Sequence, residues 1–292
     1  MEFYANLHMH STHSDGTYTP RKLAELTKQE GYGAMAITDH DTATAFPELK
    51  AACSELGLEC IFGVEFSTLL HPKLEYDPHL VGFHFDPEYP AMKEYLWQLG
   101  ENERHTTEVI FHEGVAAGTL KGITWDEVLE YNKGIHWLCQ DHVFRAMLNK
   151  GIVTYADYPA FSKANFYDHW KRVPHIYKFK EIEEIIELVH AAGGIILGAH
   201  TAPRVIEDLY KMGIDGFEVW HINMRPESIE TIWKFCLDKG LYISGGSDHS
   251  GLCGGSYEYV DDPKTSKYWK EPRSCGTTKE YFDEIKNMKI NR

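Results

Sequence analysis

The six cysteines (Cys53, Cys60, Cys139, Cys236, Cys253 and Cys275) form no Cys-x-x-Cys pair. That excludes a zinc ribbon and a thioredoxin-like redox motif. No run approaches the roughly 18 apolar residues that a membrane span needs. The opening MEFYANLHMH has neither a basic region nor an apolar stretch, so no signal peptide is expected. The expectation is a cytoplasmic protein without a membrane partner, its thiols reduced. Positive charge is also scarce, with 29 Lys and Arg against 44 Asp and Glu and a formal net charge of −15. Nucleic-acid duplexes attract basic surfaces through their phosphates, so extended duplex binding is disfavoured. Solubility accounts for most of the acidic surplus, and bound divalent cations would also suit it.

What the chain has in excess is histidine, 17 in 292 residues. Histidine is the commonest metal ligand, so its placement decides the reading. Apolar runs at 3–7, 34–37, 59–63, 80–83, 195–199, 217–220 and 241–244 alternate with helical patterns. Thr19 is a candidate N-cap followed by Pro20, and Gly57 a candidate stop. From about 87 to 174 the alternation gives way to helical pattern, with a capping box at Thr124–Glu127. Seven strands interleaved with helices predict parallel pairing and right-handed crossovers. His8 and His10, Asp39 and His40, Glu65, His79 and His84, His200, His221, and Asp248 and His249 each fall at or beside an end of a run. In a (β/α) barrel those ends converge on one face, whereas an open sheet brings together only those at its switch point. The expected fold is therefore α/β, a distorted (β/α)7 barrel formed by residues 1–86 and 175–292, with a helical insertion at 87–174.

Residues i and i+2 of a strand share a side, so His8 and His10 can aim two imidazoles at one ion. The segment LHMHSTHSDGTYTP resembles the first motif of the PHP (polymerase and histidinol phosphatase) family, written DLHxHTxxSDG, and AITDHDT resembles the second. FGVEFST, HLVGF, AAGGIILGAH and GGSDHSG resemble later motifs in the same order. DHVFRAMLNKGIV resembles the HxAR segment of the branch with a helical insertion, which includes nucleoside-bisphosphate phosphatases and 5′-to-3′ exonucleases. The resemblance implies that His8, His10, Glu65 and Asp248 hold one metal. Glu65 would bridge to a second, completed by His79 and His200, and Asp15, His40 and His249 would hold a third. Such ligands suit two or three Mn²⁺, Fe²⁺ or Zn²⁺ ions. It also implies hydrolysis of a small phosphate ester, a nucleotide or an oligonucleotide end, by a metal-bridged hydroxide. Arg145 matches the family's phosphate-contacting arginine, and His142, three residues earlier on one helix face, shares the catalytic assignment. Arg204 is a second phosphate candidate, and His142 or His221 a candidate proton donor to the leaving group. Phe111, Trp137 and Phe144 are candidate apolar walls contributed by the insertion.

Three departures stand out. Asn6 replaces the family's Asp, Thr201 replaces a proline, and Asp248 and His249 are adjacent where the family spaces Asp-x-His. Adjacent residues on extended chain point oppositely, so His249 reaches the third site only if the loop bends. Asp39 is expected to support the site rather than ligate. His13, His105, His112, His136, His169, His175 and His190 match no motif and are read as ordinary. The alternatives are histidinol-phosphate phosphatase, an amidohydrolase, which the absence of a strand-ending lysine disfavours, and a non-catalytic metal-binding domain. The sequence sets no oligomeric state.

Overall fold

A computed structural model describes residues 2–167, 172–222, 224–251 and 275–288. His169 and Cys253 lie outside the described residues. Eight strands occur among the described residues. β1 (Ala5–Asn6), β2 (Ala34–Met35) and β3 (Glu59–Cys60) form a parallel sheet. β4 (Gly63–Phe66), β5 (Leu80–Phe83), β6 (Ile195–Gly198), β7 (Gly216–Glu218) and β8 (Tyr242–Ser244) form a second sheet in that order. The apolar run at 59–63 thus feeds two strands, one in each sheet.

Uniform parallel pairing is not observed. β5 runs antiparallel to both β4 and β6, while β6, β7 and β8 are mutually parallel. The physical reason lies in the connections. No helix separates β4 from β5, so the chain returns alongside itself, and the long helical segment before β6 lets the next strand run back. The ladders do not form one continuous sheet. Single parallel bridges, Met9 to His249 and His40 to Glu65, join the edges of the two sheets. Ile195, Leu197 and Ala199 share a core cluster with Ala5, Ala34 and Val81 from both sheets, while Ile196 packs in an outer cluster. That period of two is the strand alternation expected from the pleat.

The helices follow their local signals. In α1 (Pro20–Gln29) the Thr19 side chain accepts from the Lys22 N–H and Pro20 opens the first turn. α2 (Phe46–Leu56) ends on left-handed Gly57. α3 (Pro90–Ala117) is the longest, and two cores share it. Met92, Tyr95 and Leu99 pack with the sheet residues, whereas Ile110 and Phe111 join a cluster drawn wholly from 110–173. α4 (Trp125–Tyr131), opened by the Thr124–Glu127 capping box, α5 (Gln140–Asn149) and α6 (Tyr158–Asn165) complete that second cluster. α7 (Ile182–Ala191), α8 (Ile206–Met212), α9 (Pro226–Lys239) and α10 (Lys279–Lys286) return to the sheets.

Candidate metal centre

Glu65 lies within β4, fully buried, and five imidazoles converge on its carboxylate. The His8 Nε2, His10 Nε2 and His40 Nδ1 atoms stand 3.1, 3.2 and 3.2 Å from Oε2. The His79 Nδ1 and His200 Nε2 atoms stand 3.1 and 3.2 Å from Oε1. Asp248 adds a second carboxylate, its Oδ1 3.0 Å from His10 Nε2 and 3.6 Å from His8 Nε2. Asp15 joins from the other side, 3.5 Å from His10 Nδ1 and 4.0 Å from His40 Nε2. The structure therefore brings His8, His10, Asp15, His40, Glu65, His79, His200 and Asp248 into one cluster.

The antiparallel β5 decides between His79 and His84. His79 precedes β5, and because that strand is reversed its start lies at the end where its neighbours' ligands gather. His84 follows β5 at the opposite end, where its N–H reaches the Phe62 carbonyl before β4.

Only some of these atoms pair: His10 Nε2 bonds Asp248 Oδ1 at 3.0 Å, and His79 Nδ1 and His200 Nε2 bond Glu65 Oε1 at 3.1 and 3.2 Å. His8 Nε2, His40 Nδ1 and Glu65 Oε2 are buried and lack an aligned hydrogen bond despite separations near 3 Å. Burial alone would lower the His8 pKa, but the Glu218, Glu65 and Asp248 carboxylates hold it well above the ordinary histidine value. Burial would raise the Glu65 pKa, yet His8, His40 and His79 hold it well below the carboxylate range. Asp248 is likewise held low against burial by His8 and His10. For His40, burial wins and its pKa falls. Buried lone pairs that meet around shared points, with charge needed to relieve them, fit divalent cations. Four groupings have ligand atoms mutually within 4.8 Å: His8–His10–Glu65–Asp248, His40–Glu65–His79, His10–Asp15–His40 and His8–Glu218–His221.

Glu218 is the residue that sequence reasoning missed. It sits at the end of β7, its Oε1 2.9 Å from His8 Nδ1 while Oε2 accepts the His200 backbone N–H at 2.9 Å. One buried carboxylate thus fixes the His8 ring and the turn carrying His200, a residue held at φ 33°. A carboxylate behind a ligating histidine sets its tautomer and leaves the other ring nitrogen to the metal. The available signal was a lone Glu inside the apolar stretch GFEVW. His221 belongs to the cluster too, with Nε2 3.6 Å from Asp248 Oδ2.

The Ser-Asp-Gly loop is fastened from several sides. Asp39 accepts from Ser11 N (2.6 Å), Ser11 Oγ (2.7 Å) and Ser14 Oγ (2.6 Å), the supporting part expected of it. A Cβ on Gly16 would fall 2.1 Å from the His10 carbonyl oxygen, so only glycine permits the turn. Asn6 bonds both the N–H and the hydroxyl of Ser247, tying β1 to the loop that bears Asp248.

Four expected roles do not match the geometry. The Arg145 guanidinium is buried and donates to the carbonyls of Gly16, Thr12 and Ser14, the last two at 3.3 and 3.2 Å. It braces the loop bearing Asp15 instead of facing a phosphate. His142 is fully buried, accepting from Cys139 N at Nδ1 (3.1 Å) and reaching the Thr12 carbonyl with Nε2 (3.2 Å). Burial and Arg145 hold its pKa well below the usual value, so the neutral ring clamps the same loop. Arg204 donates to the Leu74 and Glu75 carbonyls at 2.6 and 3.2 Å and covers the Tyr76 ring, pinning a turn. His249 and His200 are both absent from the ligand groupings among the described residues, although His200 reaches Glu65 Oε1 at 3.2 Å. The bridge from His249 to Met9 turns it to the side where Met9 packs, and its ring lies 5.9 Å from Tyr18. Asp248 has φ 50°, so the chain bends between the two neighbours, and the bend leaves His249 on the Met9 side. Of the expected apolar walls, Trp137 stacks on His40 (6.0 Å, 28°), while Phe111 and Phe144 are buried in the insertion's own core.

The model of the PHP domain matches residues 6–216. The chain belongs to the PHP family. The match stops before Glu218, His221 and Asp248. A 5′-3′ exoribonuclease of Haemophilus influenzae is 28% identical over 85% of this chain and 90% of its own length. A 3′,5′-nucleoside bisphosphate phosphatase of Chromobacterium violaceum is 26% identical over 91% and 95%. A solved structure from Bifidobacterium adolescentis, provisionally described as a metal-dependent phosphoesterase, superposes with TM-score 0.72 at 25% identity and covers 96% of this PHP chain and 94% of its own. Among the described residues no helix is long and apolar enough to cross a membrane.

Proposed function

We propose that this chain is a metal-dependent phosphoesterase acting on a small phosphate ester, a nucleotide or the end of a short oligonucleotide. The observation that carries the reading is Glu65, one buried carboxylate within 3.2 Å of five imidazoles, with Asp248 and Asp15 alongside. Its relatives act on nucleotides or RNA, as their names state. His8, His10, Glu65 and Asp248 would hold one ion, Glu65, His79 and His200 a second, and Asp15 and His40 would contribute to a third. Mn²⁺, Fe²⁺ and Zn²⁺ all accept this oxygen and imidazole set. Bound divalent ions would make water nucleophilic near neutral pH and offset charge on the phosphoryl oxygens.

The chain's own residues position that chemistry. Glu218 keeps the His8 Nδ1 proton in place so that Nε2 stays a lone pair. Arg145, His142 and Asp39 hold the Asp15 loop, and Trp137 covers one face of His40. His221 is the candidate donor to a substrate oxygen. We read the two sheets as halves of one distorted barrel, supported by the single bridges that link them and by their shared core. Residues 87–174 are read as an insertion over the mouth, supported by their separate cluster.

Turnover of 3′,5′-bisphosphates, 5′-monophosphates and histidinol phosphate with Mn²⁺ tests the assignment. Hydrolysis of at least one class is expected. Stoichiometric metal with no turnover of any would favour a binding domain without catalysis.

A further inference from the structure

Beside the metal cluster opens a cleft of about 700 Å³, between the segment after β4 and the first half of α3. It adjoins the centre. Trp137, which stacks on His40, forms part of its wall; Asp41 follows His40 directly, and Ser67 lies two residues beyond Glu65. Much of the rest of its wall is apolar. Leu99 and Phe179 line it, and Leu69 and Leu70 stand at the rim 50% and 66% exposed. Large apolar side chains left open beside a site call for a ligand surface. The charged groups of the lining are the carboxylates of Asp41 and Asp77; Glu103, its pKa raised to about 8 by burial, and His175, its pKa lowered by burial, also line it, and no lysine or arginine is present among the described lining residues. Asn102 is committed at both ends to the Tyr177 backbone, at 2.9 and 2.8 Å.

Resting on the phosphoesterase reading and narrowing it to esters whose leaving group carries no further phosphate, which excludes an oligonucleotide end, we propose that this cleft seats the leaving group, and that it selects an aromatic group that is neutral or cationic and rejects one bearing a second phosphate. Apolar walls and Trp137 favour a flat ring. Carboxylates without a counter-cation attract an ammonium and repel a dianion placed a few ångströms away. In the reaction, a water oxygen bonds to phosphorus as the ester P–O bond breaks. The leaving oxygen takes up a proton and the alcohol departs from the cleft.

Three aryl phosphates with one ring and similar leaving oxygens separate the possibilities: phenyl phosphate, O-phosphotyramine and benzene-1,4-diyl bisphosphate. The expected kcat/KM order is O-phosphotyramine, then phenyl phosphate, then the bisphosphate, the last at least about tenfold below the first. Asp77→Lys, an exposed substitution, should narrow the ratio of O-phosphotyramine to bisphosphate at least about threefold. Equal rates, a preference for the bisphosphate, or a ratio unmoved by Asp77→Lys would overturn the proposal. Should no ester turn over, the phosphoesterase reading fails separately, and the cleft is judged by saturation-transfer NMR with tyramine alone. A wild-type signal that drops in Asp77→Lys supports the cleft's selectivity; no signal, or equal signals, overturns it.

Discussion

Replacing Glu218 by glutamine changes one atom and tests how the centre is held. The carboxylate accepts twice, at 2.9 Å from His8 Nδ1 and at 2.9 Å from the His200 N–H. An amide offers one acceptor and one donor. If its NH₂ faces His200, two buried donors oppose each other, a cost of about 1–3 kcal/mol. If it faces His8, the imidazole must take the Nε2–H tautomer, and the nitrogen beside Glu65 and Asp248 loses the lone pair that a metal needs. Either outcome should weaken Mn²⁺ binding about 10- to 100-fold, or about 1.4–2.7 kcal/mol. Chelator competition reads the affinity, and thermal unfolding of the metal-free protein reads the fold. The reasoning is refuted if Glu218→Gln binds Mn²⁺ as tightly as the wild type. An affinity loss that only mirrors a loss of metal-free stability would refute it equally.

Arg145→Ala should cost about 2–4 kcal/mol of stability in chemical denaturation, because three carbonyls lose a buried charged donor. Unchanged stability with a tenfold rise in KM would restore the phosphate contact that the motif implied. His249 is held neutral, its pKa lowered to about 4 by burial. Because the folded value lies below the unfolded one, the unfolded chain takes up the proton first as pH falls. Stability should therefore drop between pH 6.5 and 4, by about 3 kcal/mol from this group. His249→Phe should flatten that part of a wild-type pH–stability curve, and an unaltered slope would contradict the assignment. His8 and His10 are held protonated above the usual range in the metal-free chain by their carboxylate neighbours. Metal binding must displace those protons, so Mn²⁺ affinity should rise with pH through neutrality, with proton release detectable by calorimetry in buffers of different ionisation enthalpy. A pH-independent affinity would count against it.

Much of the site was legible because its ligands sit in short local patterns. The His8–His10 spacing, the Asp39–His40 pair, and Glu65 in an apolar run each announce a polar demand where a core residue would otherwise stand. Strand direction was not legible, since a four-residue apolar run such as Leu80–Phe83 carries no sign of which way its neighbours run. That missing direction is what separates His79 from His84. Glu218 escaped because a single buried carboxylate shows no spacing to a partner 210 residues away. His142 and Arg145 were correctly placed on one helix face, but a helix pattern does not say whether that face meets a ligand or the carbonyls of a loop. For His249 the adjacency to Asp248 raised the question, and its direction is set by a left-handed Asp248 and the Met9 bridge, neither of which a sequence pattern shows.

Equilibrium dialysis against Mn²⁺, with metal content measured for the wild type and for Glu65→Ala, tests the shared-carboxylate centre most directly. The wild type should retain two or three ions per chain. Glu65→Ala should retain fewer, because the His8–His10–Glu65–Asp248 and His40–Glu65–His79 groupings lose the carboxylate they share. Equal metal content in the two proteins, or none in the wild type, would contradict the account.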